Sequence, residues 1–274
     1  MLKKSLFLDL LIVIVCIAAC KKTGTPAPAK FTGCRIATIT EVPADTTTIP
    51  RTTYRFYYNN DGTVQHIYAY IPLDPSSSYY SYYQSQSHYT YFAYSGNIIQ
   101  VRMVYGTQTT PSLIDTITVD DQKRVVSISS GESYYYSGPL ILENYWYDST
   151  GDMYLHTTSR EGMAGQSMDS AYWQGGDITA YLSYNIGGLV GNKSYSYYDT
   201  LYNTGNITAN LADFENYGRG IFSSKHLVKR TFDSFTDSTK TYSYLLDASG
   251  KITNISETLD GGGVNTTQIT YNCE

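Results

Sequence analysis

The sequence predicts an all-β protein: a large antiparallel up-and-down meander of about 16 strands, either open as a twisted sheet or curled and closed into a barrel. Three observations predict it. Aromatic and polar residues alternate in short runs, such as Tyr54-Arg-Phe-Tyr-Tyr58 and Tyr89-Thr-Tyr-Phe-Ala-Tyr94. Each run meets a short turn rich in Asp, Asn or Gly, and a second run leaves that turn. No stretch of about 12 or more residues carries clean helical periodicity. Tyrosine supplies much of the alternation, with 30 residues against 8 Phe and 2 Trp. An apolar ring with a wet hydroxyl suits a strand exposed on one side.

The elements follow in chain order. Lys3 and Lys4 form a basic start, Leu6 to Val15 an apolar run broken by Asp9, and small residues lead into Cys20. Residues 1–19 therefore read as a signal peptide with a lipoprotein cleavage site. The apolar run is shorter than the roughly 20 residues a spanning helix needs. The mature chain is expected to start at Cys20, to carry acyl lipid such as palmitate there, and to face outward from a bacterial membrane. Residues 20–33, with Pro26 and Pro28, read as a flexible tether. Residues 34–274 read as one all-β domain.

Within that domain the hairpins succeed one another. Tyr54–Tyr58 runs into Asn59-Asn60-Asp61-Gly62, and Tyr89–Tyr94 into Ser95-Gly96. Asp115–Val119 meets Asp120-Asp121-Gln122, and Glu143–Tyr147 meets Asp148-Ser-Thr-Gly151. Tyr172-Trp173 meets Gln174-Gly175-Gly176, and Thr241–Leu246 meets Asp247-Ala-Ser-Gly250. Glycine supplies the positive φ of a tight turn, and Gln122 is read as its stand-in in one of them. Turns recur roughly every 25–35 residues over 62–176, the mark of an array whose units bury their faces only against neighbours. The connection Thr200–Ser224 breaks the pattern, and Ile207–Glu215 within it is the best candidate for a helical turn. Final strands are expected near 226–233, 239–246, 251–258 and 265–272.

Cys34 opens the first strand and Cys273 is the second-to-last residue. In an exported chain this pair is expected to form a disulfide, the alternative being two free buried thiols. A bond would set the first and last strands side by side and antiparallel, which is how a meander closes. So wide a barrel is not filled by side chains alone. A hollow or a plug is expected, with Thr200–Ser224 the candidate plug.

A lipobox, a Pro/Ala/Thr tether, a Cys before the first strand and hairpins of the form Tyr-x-Tyr…Asp-x-x-Gly-x-Ile-x-x-Ile occur together. A late segment adds Asn206-Ile-Thr-Ala-Asn-Leu-Ala-Asp-Phe214 and Gly220-Ile-Phe-Ser-Ser-Lys-His-Leu-Val-Lys-Arg230. Over residues 34–273 this resembles a family of Gram-negative lipoproteins known as a domain of unknown function with a porin-like fold. Hairpins of that family are similar to YD repeats. The turns Ser95-Gly96 and Gln174–Gly176 depart from the Asp-x-x-Gly form. The resemblance implies a fold and an address, and carries over no catalytic residue.

Function classes narrow by elimination. The formal charge is −5 without a basic stripe, which argues against nucleic acid. His66, His88, His156 and His226 lack metal-ligand spacing and read as isolated strand histidines, although His66 and His88 could face each other from neighbouring hairpins. Asp120, Asp121, Asp148, Asp152 and Asp247 lie in turns, whose chemistry explains them. Nucleophile-elbow and phosphate-loop motifs do not occur. The chain is therefore expected to be non-enzymatic, without cofactor or metal.

The remaining candidates are two tyrosine clusters in inter-hairpin loops: Tyr79, Tyr80, Tyr82 and Tyr83, and Tyr134, Tyr135 and Tyr136. Clustered loop aromatics suit a glycan or a protein partner. The alternative is a structural scaffold or spacer of the envelope with no small ligand. An integral outer-membrane barrel is disfavoured, since Lys193-Ser-Tyr-Ser-Tyr197 and Lys251-Ile-Thr-Asn-Ile-Ser256 put polar residues on both strand faces. The expected address is the outer membrane, lipid-anchored, at its periplasmic face or the cell surface. Lys21-Lys22 after the cysteine favours the periplasmic face.

Overall fold

The structure is a computed structural model that describes residues 33–44, 51–72, 87–106, 108, 111, 113–130, 140–162, 165–203 and 224–273. Its strands are β1 (Cys34–Val42), β2 (Thr52–Tyr58), β3 (Val64–Tyr70), β4 (His88–Ser95), β5 (Ile98–Tyr105) and β6 (Leu113–Val119). There follow β7 (Val125–Ser130), β8 (Ile141–Tyr147), β9 (Met153–Arg160), β10 (Gln166–Gln174) and β11 (Asp177–Asn185). The last are β12 (Gly188–Tyr202), β13 (His226–Asp233), β14 (Ser238–Leu246), β15 (Ile252–Leu259) and β16 (Val264–Cys273). Every strand pairs antiparallel with its sequence neighbours, and β1 pairs with β16, so the meander closes into a barrel.

The seam is in register from its first residue. Cys34 lies opposite Cys273 and the two sulfurs are bonded, 239 residues apart in sequence. Closure leaves the barrel without sheet edges, which otherwise invite association.

Cross-strand register decides what points inward. Ile67 lies opposite both Phe56 and Thr90, Ile117 opposite Ile99 and Ile128, and Ile269 opposite Ile39. These aliphatics join Phe92, Val101 and Ile255 in one buried cluster drawn from around the barrel. Only the concave face lets distant strands meet in this way. The core therefore occupies part of the lumen.

The two rims differ. Odd-numbered strands start, and even-numbered strands end, at one rim, here called the turn rim, which carries the Asp-led turns after β6, β8 and β14 and the disulfide, while the short turns after β11, β13 and β15 lie at the opposite rim. In the turns, Asp120, Asp148 and Asp247 each accept two backbone N–H groups through Oδ1, from the residues two and four positions on. Gly151 and Gly250 take the left-handed position, with φ of 95° and 83°. In the turn after β6 that position belongs to Lys123, with φ 64°, and not to Gln122. The residue three after the Asp is the one that must turn left-handed.

An aromatic clasp repeats at the same rim. Tyr58 donates to the Ile36 carbonyl, Tyr94 to Val64, Tyr147 to Val125 and Trp173 to Met153. Tyr197 donates to Ile178, Tyr244 to Val228 and Tyr271 to Ile252. Each ring sits toward the end of an even strand and ties down a carbonyl near the start of the strand before it.

Candidate functional site

The barrel lumen changes character around its circumference. Along β2–β7 the inward positions are mostly apolar and packed, with Thr90 and Asp115 buried among them. Along β11–β15 the same register presents Tyr181, Lys193, Tyr195, Tyr197, Thr231, Asp233, Lys240, Tyr242, Tyr244 and Glu257. These surround a cavity of about 430 Å³. Its lining runs from Ser224 and His226 near the turn rim to Asp233 and Ser238 near the opposite rim.

Charges in this wall come in matched sets. Lys240 Nζ lies 3.2 Å from Glu257 Oε1, and Lys193 Nζ 3.9 Å from Asp233 Oδ2. Asn265 Nδ2 also donates to Glu257, at 2.9 Å. At the turn-rim end, His226 Nδ1 is 2.7 Å from Asp177 Oδ2, and the His226 backbone N–H donates to Asp177 Oδ1. Burial, reinforced by the Asp233 carboxylate, pushes the Tyr195 hydroxyl up to about 12. Burial also pushes Tyr197, Tyr242 and Tyr244 up, so all four stay protonated as hydrogen-bonding groups at neutral pH.

A second polar cluster sits on the inward face of β8–β10. His156 lies between two carboxylates, with Nδ1 2.9 Å from Asp169 Oδ2 and Nε2 3.3 Å from Glu143 Oε2. The Tyr145 ring stacks on the imidazole at 4.5 Å, and its hydroxyl donates to Glu143. Burial works against the imidazolium, but the two acids outweigh it and raise His156 to about 9. On β6, burial and the Glu143 charge lift Asp115 to about 6, against a hydrogen bond from Ser130.

The outer wall holds a third feature. Tyr57 stacks on His66 at 4.2 Å and Tyr68 on Tyr89 at 4.4 Å, with Tyr91 tilted against His66 at 5.5 Å. Arg55, Gln100, Arg102, Asn144, Asn254 and Gln268 share this outward register. Among the described residues the wall lacks the continuous apolar band of a lipid-facing barrel.

Sequence reasoning and geometry meet unevenly. Tyr79, Tyr80, Tyr82, Tyr83, Tyr134, Tyr135 and Tyr136 lie outside the described residues, as do Cys20, residues 204–223 of the candidate plug and the candidate turn Ile207–Glu215. His66 and His88 sit on adjacent strands but face opposite ways. His66 is outward against Tyr57 and Tyr91, while His88 is inward opposite Ala69 and Tyr105. His156 and His226 are not isolated: His156 is held by carboxylates from the strands on either side, and His226 by Asp177 at the start of β11, two strands away. Asp120, Asp148 and Asp247 serve their turns, where the Thr150 hydroxyl at Asp148, the Lys251 N–H at Asp247 and the Arg124 N–H and guanidinium at Asp120, with further turn donors, hold their carboxyls below the usual range. The luminal wall was missed, although its signal is present: Lys193-Ser-Tyr-Ser-Tyr197 and Thr241-Tyr-Ser-Tyr244 put tyrosine and lysine on one face and serine on the other.

Two solved structures share this architecture. A porin-like protein from Bacteroides uniformis is similar at a TM-score of 0.65 and 13% identity, covering 90% of this chain and 100% of that one. A porin-like protein from Bacteroides vulgatus is similar at a TM-score of 0.53 and 12% identity, covering 86% and 98%. The sequence matches no protein-family model and no curated protein. At these identities the likeness is one of fold: this chain is an all-β closed barrel of the porin-like kind.

Proposed function

We propose that the chain is a non-enzymatic binding protein of the cell envelope. In this reading it is held to the outer membrane by lipid on Cys20 and binds a glycan or protein partner through Tyr79, Tyr80, Tyr82, Tyr83, Tyr134, Tyr135 and Tyr136. It joins lipoproteins of porin-like fold whose hairpins are similar to YD repeats. The observation that carries the reading is the polarity of the barrel. Cys34, to which the tether leads, lies at the turn rim. The connections from β3 to β4 and from β7 to β8, which bear the tyrosines, join strand ends at the opposite rim. An outer wall whose exposed apolar residues are interrupted by Arg55, Gln100, Arg102 and Asn144 favours a tethered barrel over an inserted one, and the porin-like likeness supports an envelope setting.

Two experiments test this. Cys20→Ala should leave the protein unprocessed or released from membranes, because in this reading the lipid on Cys20 is the strong membrane attachment. Retention in the membrane fraction after a high-salt wash contradicts the anchor. Separately, the mature protein is screened on glycan arrays and against solubilised envelope proteins, beside a variant with Tyr79, Tyr80, Tyr82 and Tyr83 changed to Ser. Binding that the variant loses supports the loops. Binding unchanged in the variant, or no binding in either screen, argues for the scaffold.

A further inference from the structure

We infer that the cavity along β11–β15 is a binding site for a neutral saccharide of one or two rings, separate from the rim loops. The size suits it, since about 430 Å³ falls within the range of small-molecule pockets. Its walls are held open. The Tyr197 hydroxyl donates to the Ile178 carbonyl at 2.7 Å and lies 2.8 Å from Ser224 Oγ, and the Tyr244 hydroxyl donates to the Val228 carbonyl at 2.8 Å. Rings tethered in this way cannot swing inward to fill the hollow. Among the described residues nothing fills the hollow, and a cavity already open lowers the ordering cost of binding.

The chemistry of the lining selects the class. A sugar hydroxyl donates and accepts hydrogen bonds at once. Lys240 beside Glu257 and Lys193 beside Asp233 each offer an ammonium donor next to a carboxylate acceptor. Tyrosine ring faces offer an apolar surface to the C–H face of a pyranose. Two ammonium groups against two carboxylates leave an anion with no net attraction. An alkyl chain would bury both ion pairs without giving them hydrogen bonds, which is costly. The contrast within the barrel points the same way. Where β3, β6 and β7 place Ile67, Ile117 and Ile128 inward and packed, β12 and β14 place tyrosines around open space.

The test uses the full lipidated chain in a non-glycosidic detergent. Saturation-transfer NMR and calorimetry are run with maltose, cellobiose and lactose, and with galacturonate and decanoate as controls. At least one neutral disaccharide should bind through its ring protons. Glu257→Gln, folded by near-UV circular dichroism, should weaken it about tenfold, as expected for losing a charged hydrogen-bond partner. Lys240→Met gives the same reading if Glu257→Gln fails to fold. The four-tyrosine loop variant should bind the disaccharide unchanged. Absence of binding by all three disaccharides overturns the proposal, as does binding of galacturonate or decanoate alone. Unchanged affinity in folded Glu257→Gln overturns it too. Loss of disaccharide binding in the loop variant alone overturns the luminal site while leaving the rim reading intact.

Discussion

His156 is the residue whose environment departs furthest from what a lone strand histidine would have. Its imidazolium is favoured by Asp169 and Glu143, so its value rises to about 9. A raised folded value stabilises the protein fully below the unfolded value near 6.5, and that contribution fades as pH rises through about 9. Glu143 and Asp169 are held low by the same contacts, against burial. Their contribution is present above the unfolded carboxylate range and is lost as pH falls through their lowered values. Asp115 acts in the opposite sense. Its carboxyl is raised to about 6, and its Oδ1, unlike the oxygen bonded by Ser130, is buried with no hydrogen-bond partner among the described residues. Its penalty accumulates as pH rises from the unfolded carboxylate value of about 3.9 to about 6 and is complete above that. Thermal midpoints should therefore be highest on the acid side, around pH 5, and decline toward pH 9. His156→Gln should flatten the alkaline decline, and a decline of the same slope in that variant would contradict the assignment. Asp115→Asn should raise stability at pH 8 by about 1–3 kcal/mol and change little at pH 4. A drop at pH 8 would show that Asp115 is paired. None of this was legible from the sequence. Glu143, His156 and Asp169 are far apart along the chain, and only the registers of β8 with β9 and of β9 with β10 bring them together.

At the scale of the element, the hairpin turn was legible and its fastening was not. Asp148-Ser-Thr-Gly151 announces itself because the Asp carboxylate, the Thr150 hydroxyl and the glycine all act within a few residues. Strand ends near 226–233 and 239–246 were placed for the same reason: alternation is a local signal. The register-dependent clasp is not local. Tyr147 reaches Val125, 22 residues back, at 2.7 Å, and Arg124 lies over its ring at 4.5 Å. Tyr147→Phe keeps the ring and the cation contact but leaves the carbonyl without this donor. It should cost about 1 kcal/mol, a fall of roughly 2–4 °C in thermal midpoint for a chain of this size. Asp148→Ala removes the acceptor for two turn N–H groups that water can still reach, and should also lower the thermal midpoint. Additive losses in the double variant would show two independent fastenings. A loss no larger than either single change would mean that turn and clasp act as one unit.

For the whole molecule the decisive contact is the seam between β1 and β16. Closure was foreseeable because cysteines bracket the domain. Which face turned inward was not, since tyrosine sits comfortably on either. The seam is where chain connectivity gives no help: every other neighbouring pair is joined by a hairpin or a connection, whereas β1 and β16 meet only by pairing and by the disulfide. Without the bond, pairing across the seam must pay the closure entropy of nearly the whole domain. The chain-entropy model puts the bond at roughly 5 kcal/mol as an upper figure. Denatured, unreduced protein carrying the proposed lipid on Cys20 should therefore expose no reactive thiol. Two reactive thiols would mean that the seam is held by backbone pairing alone. In the Cys34→Ala, Cys273→Ala variant, amide exchange should accelerate first in β1 and β16 and least in β8 and β9, half the circumference away, because the barrel opens where only non-local contacts hold it. Uniform acceleration around the barrel would instead mean that it unfolds as one cooperative unit and that the bond acts on the unfolded chain, not on the seam.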